Sequence, residues 1–531
     1  MKARLLRVEV ERFKSYREPT AIDLAPLTIV LGPNNSGKST IIQALLLLKQ
    51  TLGHARTDVP LHLEGIVDAL SLRELTFGWP EPGEYVPGPK FTLYWQSEVN
   101  FRAWIKVNQP YLETIAKKAG SDWLGGQRPR VTLRTKLALS FAEVAGRIVL
   151  DQVQLGSAAE DTIPANIETQ FELQRTPEDT YQCRWMGRKV DQIRIQFDHF
   201  LPYLSIDWGS ASRRGRRQWH DAYRLTLPEP IEDLKQLLLS FSFLGSMRTT
   251  PVPLYRPAHV PPDEVGVSGE YAAQILQKRQ SELVHYLPPL AVTKAGVDVP
   301  EWIRARKLVE AVNDVFGCLG VSTSLRIEDI RDVGFRILFG KASLQQVGRG
   351  LSYLLPVVQL GLVADPLRFD PAVGDHVALD AYLKLCPHVT HCATEEPETH
   401  LHPKVQSRLA HWFVALAMAG RHLIVETQSD HMVRRLRGLA ARAGRESALE
   451  QWLLENVTVA EVEQAADGSS KLYHSKLTPE GGITEHWPAD FMDEATDEER
   501  QIYHATLDKP PPESPYAPDD LFVHDEGPEP E

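Results

Sequence analysis

One eight-residue run constrains this chain more than any other: Gly32-Pro33-Asn34-Asn35-Ser36-Gly37-Lys38-Ser39, with the spacing Gly-x-x-x-x-Gly-Lys-Ser. Each fixed position has a physical reason. Glycines let backbone N–H groups curl around phosphates, a lysine reaches the β and γ oxygens, and the serine hydroxyl faces Mg²⁺. The helix N-terminus that follows adds its dipole. The motif needs a strand before it and a helix after it. Residues 27–31 form a short apolar run entering Gly32, and residues 39–52 carry apolar side chains on nearly every face, as a helix buried in an α/β core does. The expected ligand is ATP with Mg²⁺, held by Asn35, Ser36, Gly37, Lys38, Ser39 and Thr40, with Ser39 on the metal.

Such a loop binds, and hydrolysis needs acidic groups as well. Glu395 and Glu396 end a segment, residues 391–394, expected to lie beside the phosphate-loop strand. Glu395 would hold Mg²⁺ through water and Glu396 would polarise the attacking water. The same residues also suit a solvated acidic turn opening a helix.

Around these motifs the chain reads as strand and helix in alternation. Strands are expected at residues 5–13, 131–139, 193–197, 335–339 and 422–426. Helices are expected at 271–292, 300–316, 351–362, 403–419 and 430–443, a pattern that suits a parallel α/β sheet. Residues 1–100 read as one half of a nucleotide-binding head and 241–505 as the other, with an α+β insertion at 101–240. The last stretch, 506–531, is a disordered tail by composition: 510–531 holds seven acidic residues, seven prolines and no Lys or Arg. The formal charge of −12 therefore includes −7 from that tail, leaving −5 elsewhere and room for basic patches. No apolar run reaches the roughly 20 residues of a membrane span. The four cysteines have no repeated spacing, and no signal peptide is legible, so the expected compartment is the cytoplasm.

The run Glu395-Glu396-Pro397-Glu398-Thr399-His400-Leu401-His402-Pro403 resembles the extended Walker B and D-loop of prokaryotic ABC/SMC-like ATPases. That class includes the overcoming-lysogenization-defect proteins and the PtuA-type ATPases of Septu and related anti-phage systems. Residues 32–51, 420–436 and 487–493 are similar to segments of the same class, and 243–251 and 267–271 match more weakly. The resemblance covers roughly 1–70 and 240–505. It implies an ABC-type P-loop head, a mixed sheet flanked by helices, which hydrolyses ATP at a dimer interface. The opposing subunit would supply a signature helix, matched here by Gly348-Arg349-Gly350-Leu351-Ser352, with Gly350 and Ser352 touching the γ-phosphate. It further implies a homodimer or higher oligomer working with an effector nuclease in trans, since no Asp-x-Asp-type nuclease triad is legible after the switch.

Two departures from the class stand out. Its switch reads Glu-Thr-His-Ser, whereas here Glu426-Thr427-Gln428-Ser429 puts a glutamine where a cation could form, so turnover is expected to be slow. Walker B strands are strongly apolar, whereas residues 388–394 are polar here. Cys386, His388, His391 and Cys392 are zinc-ligand types, but on a strand they would point to opposite faces. Two basic runs could grip nucleic-acid phosphates or be solvated: Arg213-Arg214-Gly215-Arg216-Arg217 beside Trp219, and Arg434, Arg435, Arg437, Arg442 and Arg445. A DNA-repair or chromosome-maintenance clamp and a non-hydrolysing nucleotide sensor are the other readings, although no long heptad arms are legible.

Overall fold

The computed structural model describes residues 3–100, 130–185, 187–190, 193–206, 228–260, 262–294, 302–331, 333–366, 389–484 and 501. Outside them lie the 487–493 segment, the 506–531 tail, the 213–219 basic cluster, Cys386 and His388. The strands are β1 (Arg4–Glu11), β2 (Thr20–Asp23), β3 (Leu27–Leu31), β4 (Tyr85–Asn100), β5 (Arg130–Val144), β6 (Arg147–Ala159), β7 (Phe171–Arg175), β8 (Tyr181–Trp185), β9 (Arg188–Val190), β10 (Ile193–Asp198), β11 (Leu201–Ile206), β12 (Ser242–Leu244), β13 (Leu283–Tyr286), β14 (Arg304–Lys307), β15 (Leu325–Ile330), β16 (Gly334–Phe339), β17 (Ala342–Ser343), β18 (Thr390–Glu395), β19 (Arg421–Glu426), β20 (Val457–Gln464) and β21 (Ser470–Lys476). The helices are α1 (Lys38–Leu52), α2 (Pro228–Leu239), α3 (Ala272–Lys278), α4 (Ala291–Lys294), α5 (Leu308–Leu319), α6 (Arg349–Val363), α7 (Pro403–Met418), α8 (Asp430–Arg442) and α9 (Ala448–Asn456).

The phosphate loop sits on a six-stranded sheet of order β12-β18-β19-β3-β20-β21. Its first five strands run parallel, and only β21 is antiparallel. Buried parallel strands are usually apolar, as β3 is at every position but Thr28. β18, Thr-His-Cys-Ala-Thr-Glu, is buried despite its polarity, and three of its polar side chains find partners. Thr390 Oγ1 donates to the Ala364 carbonyl at 2.6 Å, and His391 Nε2 accepts the Leu5 N–H at 3.1 Å. Thr394 Oγ1 accepts from Arg248 at 3.4 Å. Those bonds offset the desolvation that would otherwise forbid the sequence there.

The strand order corrects one expectation. β18 does not lie beside the phosphate-loop strand; β19 stands between them, pairing Glu395 with Glu426 on one side and Glu426 with Val30 on the other. The strand that ends in the switch is therefore the immediate neighbour of the phosphate loop.

A second, eight-stranded sheet is antiparallel throughout, in the order β2-β1-β4-β5-β6-β7-β8-β9. β4 and β5 pair from Tyr85↔Val144 to Asn100↔Arg130, across the expected boundary at residue 101. Residues 130–190 thus extend a sheet begun by β1 and β2 and are no separate body. Their inward alternation explains why. Phe91, Leu93, Trp95, Leu137, Leu139 and Phe141 join one core with Phe13, Val8, Val10 and the buried side of α1.

The expected helix at 271–292 is also corrected. α3 ends at Lys278, and Leu283–Tyr286 is β13, paired with β14 in the expected helix at 300–316, of which α5 takes only the second half. Pro288 and Pro289 follow β13 after Leu287 alone, and a proline biases the residue before it toward extended backbone. The other expected helices and strands lie within a few residues of α6, α7, α8, β16 and β19. Among the described residues no helix is long and apolar enough to cross a membrane.

Candidate nucleotide site

In an α/β sheet, ligands bind beyond the carboxyl ends of the strands. There β3 delivers the phosphate loop, β18 delivers Glu395 and Glu396, and β19 delivers Glu426, Thr427 and Gln428. The loop tolerates no side chain at its two motif glycines. A Cβ on Gly32, at φ +144°, would come 2.2 Å from the Val462 carbonyl oxygen. One on Gly37, at φ +97°, would come 2.4 Å from the hydroxyls of Ser15 and Ser470. Asn35 takes the left-handed region at φ 64° at the exposed tip. The Ser470 hydroxyl donates to the Ser36 carbonyl, clamping the loop to β21. Ser36 Oγ is buried without a hydrogen-bond partner, and Thr40 is buried behind it on α1. A buried, unsatisfied hydroxyl in such a loop suits a phosphate oxygen that it can donate to.

Lys38 does not extend outward: its Nζ donates to the Pro33 carbonyl at 2.7 Å, folded across the loop. Burial lowers its pKa, and the charges of Glu426, Glu396, Glu398 and Glu395 oppose that shift. Ser39 Oγ donates to Glu426 Oε1 at 3.0 Å. Glu395, the expected metal residue, accepts the Ser246 N–H on Oε2 at 3.3 Å, while its carbonyl accepts from Arg248 at 2.9 Å. Burial raises its pKa, against the pull of Ser246 and Arg248.

The two expected catalytic side chains touch. Gln428 Nε2 donates to Glu396 Oε1 at 2.7 Å. Glu396 itself sits at φ 43°, uncommon for a residue with a Cβ, and is pinned there by its N–H on the Glu426 carbonyl at 2.8 Å. Glu398 anchors the switch from beneath: its Oε1 accepts the Thr427 hydroxyl at 2.7 Å and the Gln428 N–H at 2.8 Å. Ser429 caps α8, and its hydroxyl donates to Gln406 of α7 at 2.7 Å. The starts of the helices after Walker B and after the switch are thereby tied together.

Four glutamates thus share one pocket with few cations. Burial, then the charge of Glu395, pushes Glu426 up to about 7. Burial lowers Arg248 to about 10, opposed by Glu395, Glu396 and Glu398. The arrangement favours a ligand that brings positive charge to the carboxylates and accepts from the loop's donors, which is what a Mg²⁺-nucleotide does. Ser39 and Glu395, the two expected metal residues, present oxygen donors of the type Mg²⁺ takes.

Gly350 and Ser352 do not join this cluster. Ser352 Oγ donates to the Arg349 carbonyl at 2.9 Å, and a Cβ on Gly350 would come 2.7 Å from the His400 carbonyl oxygen. The start of α6 therefore packs on the loop after Glu398, with Tyr353 and His400 rings 5.4 Å apart. His391 and Cys392 are both buried in β18 and end in protein contacts. On α8, Arg434 pairs with Asp430 at 2.9 Å, Arg437 donates to the Gly481 carbonyl at 2.7 Å, and the exposed Arg442 folds toward Gly438.

Sequence reasoning did not assign roles to Glu426, Glu398, Arg248, Ser246 or Ser470. Only Glu426 carried a signal of its own: a carboxylate closing the apolar run Leu423-Ile424-Val425, one residue before the switch threonine.

Residues 4–92 match a family model described as an AAA ATPase domain. No curated protein matches the chain. Among solved structures it is similar to an Smc head bound to the C-winged helix domain of ScpA, at 14% identity and TM-score 0.38, covering 89% of this chain and 98% of that one. It is also similar to an Smc head domain with an extended coiled coil bound to the C-terminal domain of ScpA, from Pyrococcus furiosus (13% identity, TM-score 0.38, 94% and 100% covered). A third is the SMC head domain from Thermotoga maritima (11%, TM-score 0.31, 88% and 98% covered). The N-terminal part of the chain, with its phosphate loop, is thus similar to an AAA ATPase domain.

Proposed function

We propose that this chain binds ATP with Mg²⁺ and hydrolyses it slowly, at a site completed by a second copy of itself. The observation that supports the reading best is the meeting of Glu396 and Gln428 at 2.7 Å above a phosphate loop whose Ser39 is already held by a carboxylate. Ser39 and Glu395 would hold Mg²⁺, which when bound would supply charge neutralisation for the transferred group. Glu396 accepts the proton of the attacking water, and Gln428 orients that water through its amide. Gln428 cannot supply a positive charge, so transition-state charge falls to Lys38 and the donors of α1. Gly350 and Ser352 lie away from their own chain's loop, where the exposed start of a glycine-flanked helix suits the γ-phosphate of a partner's nucleotide.

The biological setting that fits is regulation of a partner effector nuclease in anti-phage defence, an expectation that rests on the resemblance of residues 395–403, 420–436 and 487–493. A chromosome-maintenance role fits the same site chemistry, and binding of DNA or RNA by the chain alone, steeply salt-dependent and gated by ATP, would favour it. The test of the enzymatic reading compares wild type with Glu396→Gln. The expected result is loss of turnover by about 10²-fold or more with ATP binding kept. No turnover in either would leave a nucleotide sensor as the better description, and equal turnover in both would take the catalytic role away from Glu396.

A further inference from the structure

Glu426 has no role in the reading above beyond holding a serine, yet its surroundings are unusual. It lies at the end of β19, in register with Glu395 of β18 on one side and Val30 of β3 on the other. Paired positions on neighbouring parallel strands project to the same face about 5 Å apart. Two carboxylates are therefore held side by side at the mouth of the phosphate loop. The residue is only 4% exposed. Oε1 accepts the Ser39 hydroxyl at 3.0 Å, and Oε2 is buried with no hydrogen-bond partner. A buried carboxylate oxygen without a donor is destabilising unless something outside the chain satisfies it.

A purely structural account leaves both features unexplained. If Glu426 served only to tether α1, a neutral Gln or Thr would bond Ser39 as well, without setting a charge beside Glu395. A divalent cation at Ser39 removes both difficulties at once. It screens the two carboxylates from each other, and its hydration shell offers donors to Oε2.

We infer that Glu426 is a second carboxylate of the metal site. Its Oε1 fixes the Ser39 hydroxyl so that the serine lone pairs face the cation, and its free Oε2 accepts from a water of the cation's shell. Glu395 flanks that shell from the neighbouring strand. This deepens the nucleotide reading and rests on it. It assigns a metal-positioning function to the first residue of the switch, so the strand that carries Gln428 also senses whether the metal is present. Loading the metal would pull on Glu426, and Glu396 hangs from the Glu426 carbonyl by its own N–H at 2.8 Å.

The test is a titration of a fluorescent ATP analogue into wild type, Glu426→Gln and Glu426→Asp, first with EDTA and then over a Mg²⁺ series. Thermal unfolding of the metal-free proteins runs alongside as a folding check. The expected result is that Glu426→Gln binds the metal-free nucleotide at least as tightly as wild type, one negative charge near the phosphates being gone. Its half-saturating Mg²⁺ should rise by about tenfold, as loss of a residue supporting a metal does. Glu426→Asp, which keeps the charge on a shorter stem, should fall between the two. An unchanged Mg²⁺ half-saturation in both variants, with or without a change in unfolding temperature, would overturn the inference and leave Glu426 a structural tether. Failure of wild type to bind the analogue under any condition is a separate outcome and would overturn the nucleotide reading itself.

Discussion

At the scale of single residues, the site is built by backbone constraints as much as by charged groups. Gly32 shows this most sharply. Its positive φ and the Val462 carbonyl 2.2 Å from any added Cβ leave no conformation open to a larger residue. Gly32→Ala should either destabilise the fold by roughly 2 kcal/mol or more, or distort the loop enough to abolish nucleotide binding. Thermal unfolding and analogue binding on one sample separate those effects, and a variant unchanged in both would contradict the geometry. Gln428 offers a second check. Its amide holds Glu396, and its own backbone N–H is held by Glu398. Glu398→Gln keeps the shape but weakens the grip on Thr427 and Gln428, so kcat should fall about tenfold while KM for ATP stays near wild type. A large KM change with constant kcat would place Glu398 in binding instead.

At the scale of elements, the buried histidines of neighbouring strands dictate acid behaviour. His391 of β18 and His422 of β19 face each other with ring centroids 5.1 Å apart. Burial lowers His391 to about 3 and pushes His422 well below its ordinary value, Arg4 and, for His422, the His391 charge adding to it. In the unfolded chain both protonate near pH 6.5. Above that pH neither state takes up the proton and they add no pH dependence. Below it the unfolded state binds protons that the folded state refuses, so stability falls as pH drops from about 6.5 toward 3, by up to about 1.4 kcal/mol per pH unit for each histidine. Replacing His422, whose Nδ1 is buried without a partner, by Phe should flatten that slope relative to wild type. Denaturant unfolding at pH 7 and pH 5 reads the difference, and parallel slopes would refute it.

Much of this element structure was legible beforehand. β3 and α1 announce themselves through an apolar strand, a glycine loop and an all-round apolar helix, which are local signals. Their order in the sheet was not. Nothing in residues 391–394 or 422–426 says that β19 separates β18 from β3, because lateral order is decided by packing between segments hundreds of residues apart. The polar β18 read as doubtful for the same reason: its partners, Leu5, Arg248 and Ala364, are remote in sequence. The extension of the antiparallel sheet through β5 to β9 was hidden because alternating strands look alike whether they found a new body or lengthen an old one. β13 was misread as helix because a short apolar run carries no periodicity of its own. In the site, motif positions Lys38 and Ser39 could be named from spacing alone, whereas Glu395 and Glu396 were read from an expected place beside the loop and from the resemblance of residues 395–403. Glu398, Arg248 and Ser246 act only through contacts that the fold creates.

At the scale of the whole molecule, the proposal is that the chain carries half of each site and that the start of α6 serves the nucleotide of a second copy. Gly350 and Ser352 contact their own chain through Arg349 and His400, leaving the phosphate loop without them. If two copies pair about a two-fold axis, each loop faces the other copy's α6, and each of two identical sites needs both chains. That is the central claim, and one mixing experiment tests it most directly. Lys38→Ala and Ser352→Arg are each expected to lose ATP turnover alone, the first through the loop and the second through the signature. Mixed in equal amounts and allowed to exchange, half of the dimers are mixed, and each carries one site built from two unmutated surfaces. Turnover should then recover to about a quarter of wild type. A mixture as inactive as its two components, with exchange verified by a size or mass measurement, would contradict the shared site.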